Sequence, residues 1–107
     1  MHLSVENFVE GTKLILKLKG VLDYSTVDTF NFKEFTSDSI EEIEVDFSNL
    51  EFIDSTGIGA IISILHTAVS LSAKVNFKGM SEDTKELFET IGIFDIKKSL
   101  LGDDYHV

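Results

Sequence analysis

The residues best suited to chemistry sit together in Phe52-Ile53-Asp54-Ser55-Thr56-Gly57-Ile58-Gly59. An alternating segment that reads as a strand precedes this run. Ala60 to Leu71, which reads as a helix with a broad apolar face, follows it. Asp, Ser and Thr at such a junction cap helices, because their side-chain oxygens accept from N–H groups that lack a partner in the first turn. Asp54 or Ser55 can fill that role, which stabilises a helix by about 1 kcal/mol. The same position suits a hydroxyl that accepts a phosphoryl group. The free N–H groups and dipole of a helix N-terminus tolerate an anion, and a phosphate adds about −1.5 to −2 charge. The two roles are compatible: if Asp54 takes or shares the cap, the Ser55 hydroxyl is left to face outward.

Other chemistries fit less well. A hydrolase elbow needs Gly-x-Ser-x-Gly, and Ile53 occupies its first glycine position. The candidate bases His2, His66 and His106 are scattered along the chain. Asp54-Ser55-Thr56-Gly57 carries one residue too many for an aspartic-protease triplet and has no second copy to supply the paired carboxylate. Gly57-x-Gly59 lacks the third glycine of a dinucleotide loop and reads as close packing or a loosened first turn. Glu41, Glu42, Glu44, Asp46, Glu51 and Asp54 lack metal-loop spacing and read as a solvated face. With no cysteine, thiolate zinc sites and cysteine nucleophiles are excluded. The expectation is no catalytic residue, no metal, no cofactor and no enzyme.

Composition narrows the partners. Nineteen acids stand against nine lysines, without arginine, for a net charge of −10. Such a surface argues against direct nucleic-acid binding and against anionic membranes. The longest apolar-rich run, Ile58 to Leu65, falls far short of the ~20 residues that span a bilayer. No targeting segment is visible, so the chain reads as cytoplasmic, a single domain over residues 1–107.

These residues need elements to position them. Leu3 to Val9 and Lys13 to Lys19 read as strands paired in an antiparallel edge hairpin, with a turn at Glu10-Gly11 and an end at Gly20. Asp23 or Ser25 can cap a first helix with Tyr24, Val27, Phe30 and Phe35 at helical spacing, broken by Thr36-Ser37-Asp38-Ser39. Ile43, Val45 and Phe47 give a third strand. The second helix turns Ile58, Ile61, Ile62, Leu65, Ala68 and Val69 inward. Lys74 to Lys78 gives a fourth strand. Ser81 caps a third helix with Leu87, Phe88 and Ile91 as its stripe and Gly92 as its stop. Ile93, Phe94 and Ile96 suggest a brief last strand, and Ser99 to Val107 holds at most one turn of helix. The predicted fold is α/β: a mixed sheet of four to five strands with an antiparallel edge hairpin and three helices, the fourth helix short or absent. Crossovers of this length make the later strands parallel, which puts Asp54 and Ser55 outside a carboxyl end, where ligands gather in such sheets.

The run Val45-Asp46-Phe47-Ser48-Asn49-Leu50-Glu51-Phe52-Ile53-Asp54-Ser55-Thr56-Gly57-Ile58-Gly59 resembles the signature of STAS domains, in particular bacterial anti-sigma factor antagonists. The likeness extends to Gly20-Val21-Leu22-Asp23, Glu86-Leu87-Phe88 and Ile91-Gly92-Ile93, and covers roughly Leu14 to Ile96. It implies that Ser55 is a phospho-acceptor. The unphosphorylated form would bind a serine kinase that doubles as an anti-sigma factor, freeing a sigma factor. Phosphorylation would part the two, and a metal-dependent serine phosphatase would reset the switch. The docking surface would comprise Asp23, Asp54, Ser55, Thr56, Gly57 and the exposed start of the second helix. The family usually ends with a fourth helix on the sheet. With little chain left to form it, a sheet face falls to a partner or to a second copy, as in a homodimer. The alternative within the family is a non-switching interaction module of a transport system or signalling scaffold.

Overall fold

Leucines at every second position of β2 (Lys13–Leu22) put Leu14, Leu16, Leu18 and Leu22 on one face, all inaccessible to solvent. This strand is the spine of a four-stranded sheet in the order β1-β2-β3-β4. A computed structural model describes residues 2–102; Asp103-Asp104 and His106 lie outside the described residues. β1 (Leu3–Glu10) pairs antiparallel with β2, from Leu3↔Gly20 to Glu10↔Lys13. β3 (Glu42–Ile53) lies parallel to β2, and β4 (Lys74–Lys78) lies parallel to β3. The mixed sheet and its edge hairpin are as expected, with four strands.

Three α-helices accompany the sheet: α1 (Ser55–Leu71), α2 (Glu82–Ile91) and α3 (Ile93–Leu101). Phe47 of β3, Phe77 of β4, Phe88 of α2 and Phe94 of α3 share one aromatic cluster. The Phe47–Phe88 and Phe77–Phe88 centroids lie 5.6 and 5.8 Å apart at near-perpendicular angles, the edge-to-face packing that ring quadrupoles favour. Ser81 caps α2 by accepting from the Thr84 N–H at 3.1 Å, and Gly92 ends it at φ 87°. Both agree with the sequence.

Several elements differ from expectation. No first helix forms over Asp23 to Phe35. The segment makes two 3₁₀ turns, Val27–Thr29 and Phe32–Phe35. Phe30 and Phe32 are both buried, a spacing of two that one face of an α-helix does not provide. Gly20 does not end β2, which runs on to Leu22. In α1, Ile64 is buried and Val69 is exposed, so the inward face is turned slightly from the predicted one. The brief last strand is instead the start of α3. Its inward stripe, Ile93 and Lys97, is interrupted by a charge: Lys97 is buried with its amine 6.0 Å from the Phe77 ring centroid.

The opposite sheet face is not an apolar vacancy. Cross-strand register makes it a lattice of alternating charge: Glu10, Lys13, Glu42 and Lys74 form one rung, and Glu6, Lys17, Asp46 and Lys78 another. Lys13 meets Glu44 at 3.1 Å and Glu42 at 3.7 Å, and Lys17 lies 5.4 Å over the Phe8 ring. Burial pushes the Asp46 carboxyl up. Donation by the Ser48 hydroxyl and N–H, with Lys78 and Lys17 nearby, outweighs this and holds it below the ordinary range.

Candidate functional site: the turn between β3 and α1

β3 carries two more residues than β2 over their shared length. Lys17↔Asp46 steps to Lys19↔Asn49, and Gly20↔Leu50 steps to Val21↔Phe52. These irregularities re-aim the end of the strand, as bulges near functional turns do. They bring Ile53 beside Leu22, and the Asp54 N–H donates to the Leu22 carbonyl at 3.3 Å.

Asp54 then organises the turn. Its backbone is extended, and Oδ1 accepts from the Gly57 N–H at 2.9 Å, which is the N-cap of α1. Oδ2 accepts from the Tyr24 N–H at 3.2 Å. One carboxylate thus ties the start of α1 to the loop after β2. The Ile58 N–H goes to the Asp54 carbonyl at 2.9 Å. Ser55 is therefore released from capping. It is the first residue of α1 and is exposed, and among the described residues its hydroxyl has no hydrogen-bond partner. Thr56, beside it, is exposed as well.

Gly57 is buried for a steric reason. A Cβ there would sit 2.3 Å from the Leu22 carbonyl oxygen and 2.8 Å from Ile53 Cγ1. Only glycine lets the first turn of α1 lie this close to the ends of β2 and β3. At Gly59 a Cβ would meet nothing within 4 Å. Of the two sequence readings, close packing therefore applies to Gly57.

Asp23 is 3% exposed and closes a turn of its own. Its Oδ1 accepts from the Ser25 hydroxyl at 2.6 Å and the Ser25 N–H at 2.9 Å. Its N–H donates to Thr26 Oγ1 at 3.0 Å, and that hydroxyl donates to the Val21 carbonyl at 2.8 Å. Donation by the Ser25 hydroxyl is the largest of the effects that hold the Asp23 carboxyl below its ordinary value.

The turn thus gathers all five expected residues, with different accessibility. The resemblance puts Asp23 and Gly57 in a docking surface. Both are buried, so they position the turn, while Ser55 and Thr56 face outward. Sequence reasoning missed two exposed aromatics that flank the turn, Tyr24 at 76% and Phe52 at 54% exposure. Tyr24 had an apparent place in a helical stripe. The available signal was its position next to a turn-forming aspartate. Phe52 also lines a groove of about 270 Å³ between the end of β3 and the start of α2, with Ser81, Asp83 and Leu87. His2 and His66 are exposed and lie on other elements, β1's approach and mid-α1.

The chain is similar to an anti-sigma-B factor antagonist of Staphylococcus aureus, with 26% identity over 98 residues that cover 90% of this chain and 91% of that one. In fold it is similar to the anti-sigma factor antagonist SpoIIAA in its unphosphorylated form, with a TM-score of 0.64, 19% identity and coverage of 89% of this chain and 97% of that one. The phosphorylated form of the Bacillus cell fate determinant SpoIIAA gives a TM-score of 0.66 at 21% identity, covering 87% and 86%. The murine Slc26a9 anion transporter shares the fold over 80% of this chain and 15% of its own length, with a TM-score of 0.69 and 14% identity. The model of the STAS domain matches residues 5–102, nearly the whole chain, and this protein belongs to the STAS domain family.

Proposed function

We infer that the protein is an anti-sigma factor antagonist switched by phosphorylation of Ser55. The observation that carries this reading is the division of labour at the turn. Asp54 supplies the helix cap, and the exposed Ser55 hydroxyl is committed to no partner among the described residues. Similarity to antagonists of sigma-B regulation along most of the chain supports the class of partner.

In its unphosphorylated form the protein binds a serine kinase that is also an anti-sigma factor, and a sigma factor is set free. Ser55 and Thr56 lie in the contact, with Tyr24 and Phe52 as aromatic anchors of the type that dominate binding energy. Asp23, Asp54 and Gly57 hold the turn in shape. Within the complex, Ser55 Oγ attacks the γ-phosphorus of ATP. The bond to the β–γ bridging oxygen breaks, ADP leaves, and the serine proton passes to a base on the kinase. A phosphate in the middle of a packed contact, next to the Asp54 carboxylate, opposes association through desolvation and like-charge repulsion. The α1 N-terminus tolerates it, so the fold persists while the partner leaves. A metal-dependent serine phosphatase hydrolyses the ester and restores the binding form. The protein is substrate and regulator in this cycle and needs no catalytic residue of its own.

Affinity purification from the native cell tests the reading. Wild-type protein and Ser55→Ala should both recover a serine kinase, and Ser55→Asp should recover at least tenfold less, a loss of about 1.4 kcal/mol of binding. Equal recovery by Ser55→Asp, or recovery of transport components in place of a kinase, contradicts the switch.

A further inference from the structure

Among the described residues β1 is an edge strand, with a neighbour on one side only. The His2 carbonyl accepts from the Val21 N–H at 3.1 Å, in the same register as Leu3↔Gly20 and Glu10↔Lys13. Backbone groups of successive residues alternate in direction across an antiparallel pair. Even-numbered residues of β1 therefore turn theirs toward β2, and the N–H and C=O groups of Leu3, Val5, Asn7 and Val9 face outward. Phe8 and Val9 on this strand are 45% and 57% exposed. Natural proteins usually blunt such an edge with charged side chains, proline, a bulge or a covering loop, and of these β1 carries charge, at Glu6 and Glu10. β1 contains no proline and pairs with β2 without a register shift.

We propose that a second copy of the chain fills this edge, the two β1 strands pairing antiparallel about a twofold axis at Asn7. Charge selects this register from the few that join outward-facing groups. An axis at Glu6 would set Glu6 opposite its own copy. An axis at Phe8 would set Glu6 opposite Glu10 twice. An axis at Val5 would pair only Leu3 to Asn7 of the strand and set Phe8 opposite His2, at the end of the ladder. With the axis at Asn7, Val5 lies opposite Val9, Glu6 opposite Phe8 and Ser4 opposite Glu10. No two carboxylates then oppose each other, and the exposed apolar side chains gain partners. Two sheets of four strands become one of eight. The pairing uses none of the residues of the Asp54–Ser55 turn, so it goes beyond the antagonist reading and stands without it. The formal charge of −10 on each copy opposes association over a range that salt shortens to about 8 Å at physiological ionic strength.

Sedimentation velocity on the purified full chain, across a concentration series, tests the pairing. The expected result is a concentration-dependent rise from 11.9 kDa to twice that mass, reached at lower concentration in high salt. Asn7→Pro removes a donor that β2 does not use, and Val9→Lys places a charge opposite Val5. Each should hold the protein at the monomer mass with an unchanged circular dichroism spectrum. Because the chain has no cysteine, Asn7→Cys gives a separate reading. Residues on the axis of a hydrogen-bonded pair have Cα atoms about 5.5 Å apart, within disulfide reach. Asn7→Cys should oxidise to a covalent dimer and Val9→Cys, whose mate is Val5, should not. A monomer at every concentration, or a dimer that survives both Asn7→Pro and Val9→Lys while Asn7→Cys fails to cross-link, overturns the proposal.

Discussion

At the scale of single residues, the turn separates a side chain that holds it, Asp54, from one left exposed, Ser55. The Asp54 carboxylate accepts hydrogen bonds from two different segments, and the Ser55 hydroxyl makes none to the described residues. Asp54→Ala should therefore cost about 1–2 kcal/mol in chemical denaturation, since it removes a cap and the tie to Tyr24 together. Ser55→Ala should change stability by less than about 0.5 kcal/mol, as surface substitutions away from such features do. A large loss from Ser55→Ala would mark the serine as structural. Asp23 adds a pH signature. Its folded pKa lies below the ordinary 3.8, so its contribution is present above that value and fades as pH falls through the folded pKa. The stability gap between wild type and Asp23→Asn, followed by urea unfolding, should be constant near neutrality and close only in acid below about pH 4. A gap that closes between pH 6 and 8 would point to another group.

At the scale of elements, periodicity reveals most of this fold and fails where packing overrides it. β2, β4, α1 and α2 follow from alternation, helical spacing and the caps at Ser81 and Gly92. The tail of β3 does not, because its two register shifts break the alternation through Ser48-Asn49-Leu50-Glu51. The segment from Asp23 to Phe35 shows helical spacing on paper. Its Asp23–Ser25–Thr26 hydrogen bonds and the burial of Phe30 with Phe32 give 3₁₀ turns instead. Lys97 disguised α3 by placing a charge on its inner stripe. Asp54 was legible as a cap, and Ser55 as a hydroxyl left outward, from residue type. The burial of Asp23 and Gly57 was not, because it depends on how close α1 lies to the end of β2. The two glycines of α1 give a sharp comparison. Gly57→Ala should destabilise by about 1–3 kcal/mol or more, because its Cβ meets the Leu22 carbonyl. Gly59→Ala should stabilise by about 0.5–1 kcal/mol, because it improves helix propensity in open space. Thermal unfolding of the two variants should shift in opposite directions.

At the scale of the whole molecule, charge is distributed unevenly. The open sheet face sets five acids against five lysines, Lys19 among them, and is formally neutral. Much of the acidic excess therefore lies elsewhere, with Glu51, Asp54, Glu82 and Asp83 around the turn and the start of α2. A phosphate at Ser55 would deepen a field already negative there and change how a partner sees the surface, while the core between the sheet and its helices keeps its packing. Under the proposed switch, regulation would need no second fold, only a surface that gains charge at one hydroxyl. Incubation of the protein with the kinase it recovers from its own cell and with ATP, read by intact mass and by mapping of the modified residue, tests this most directly. The account predicts one added phosphate, on Ser55, with the phosphorylated protein released from the kinase and Ser55→Ala unmodified and still bound. Phosphate mapped to another residue, with Ser55→Ala modified as well as wild type, would contradict it.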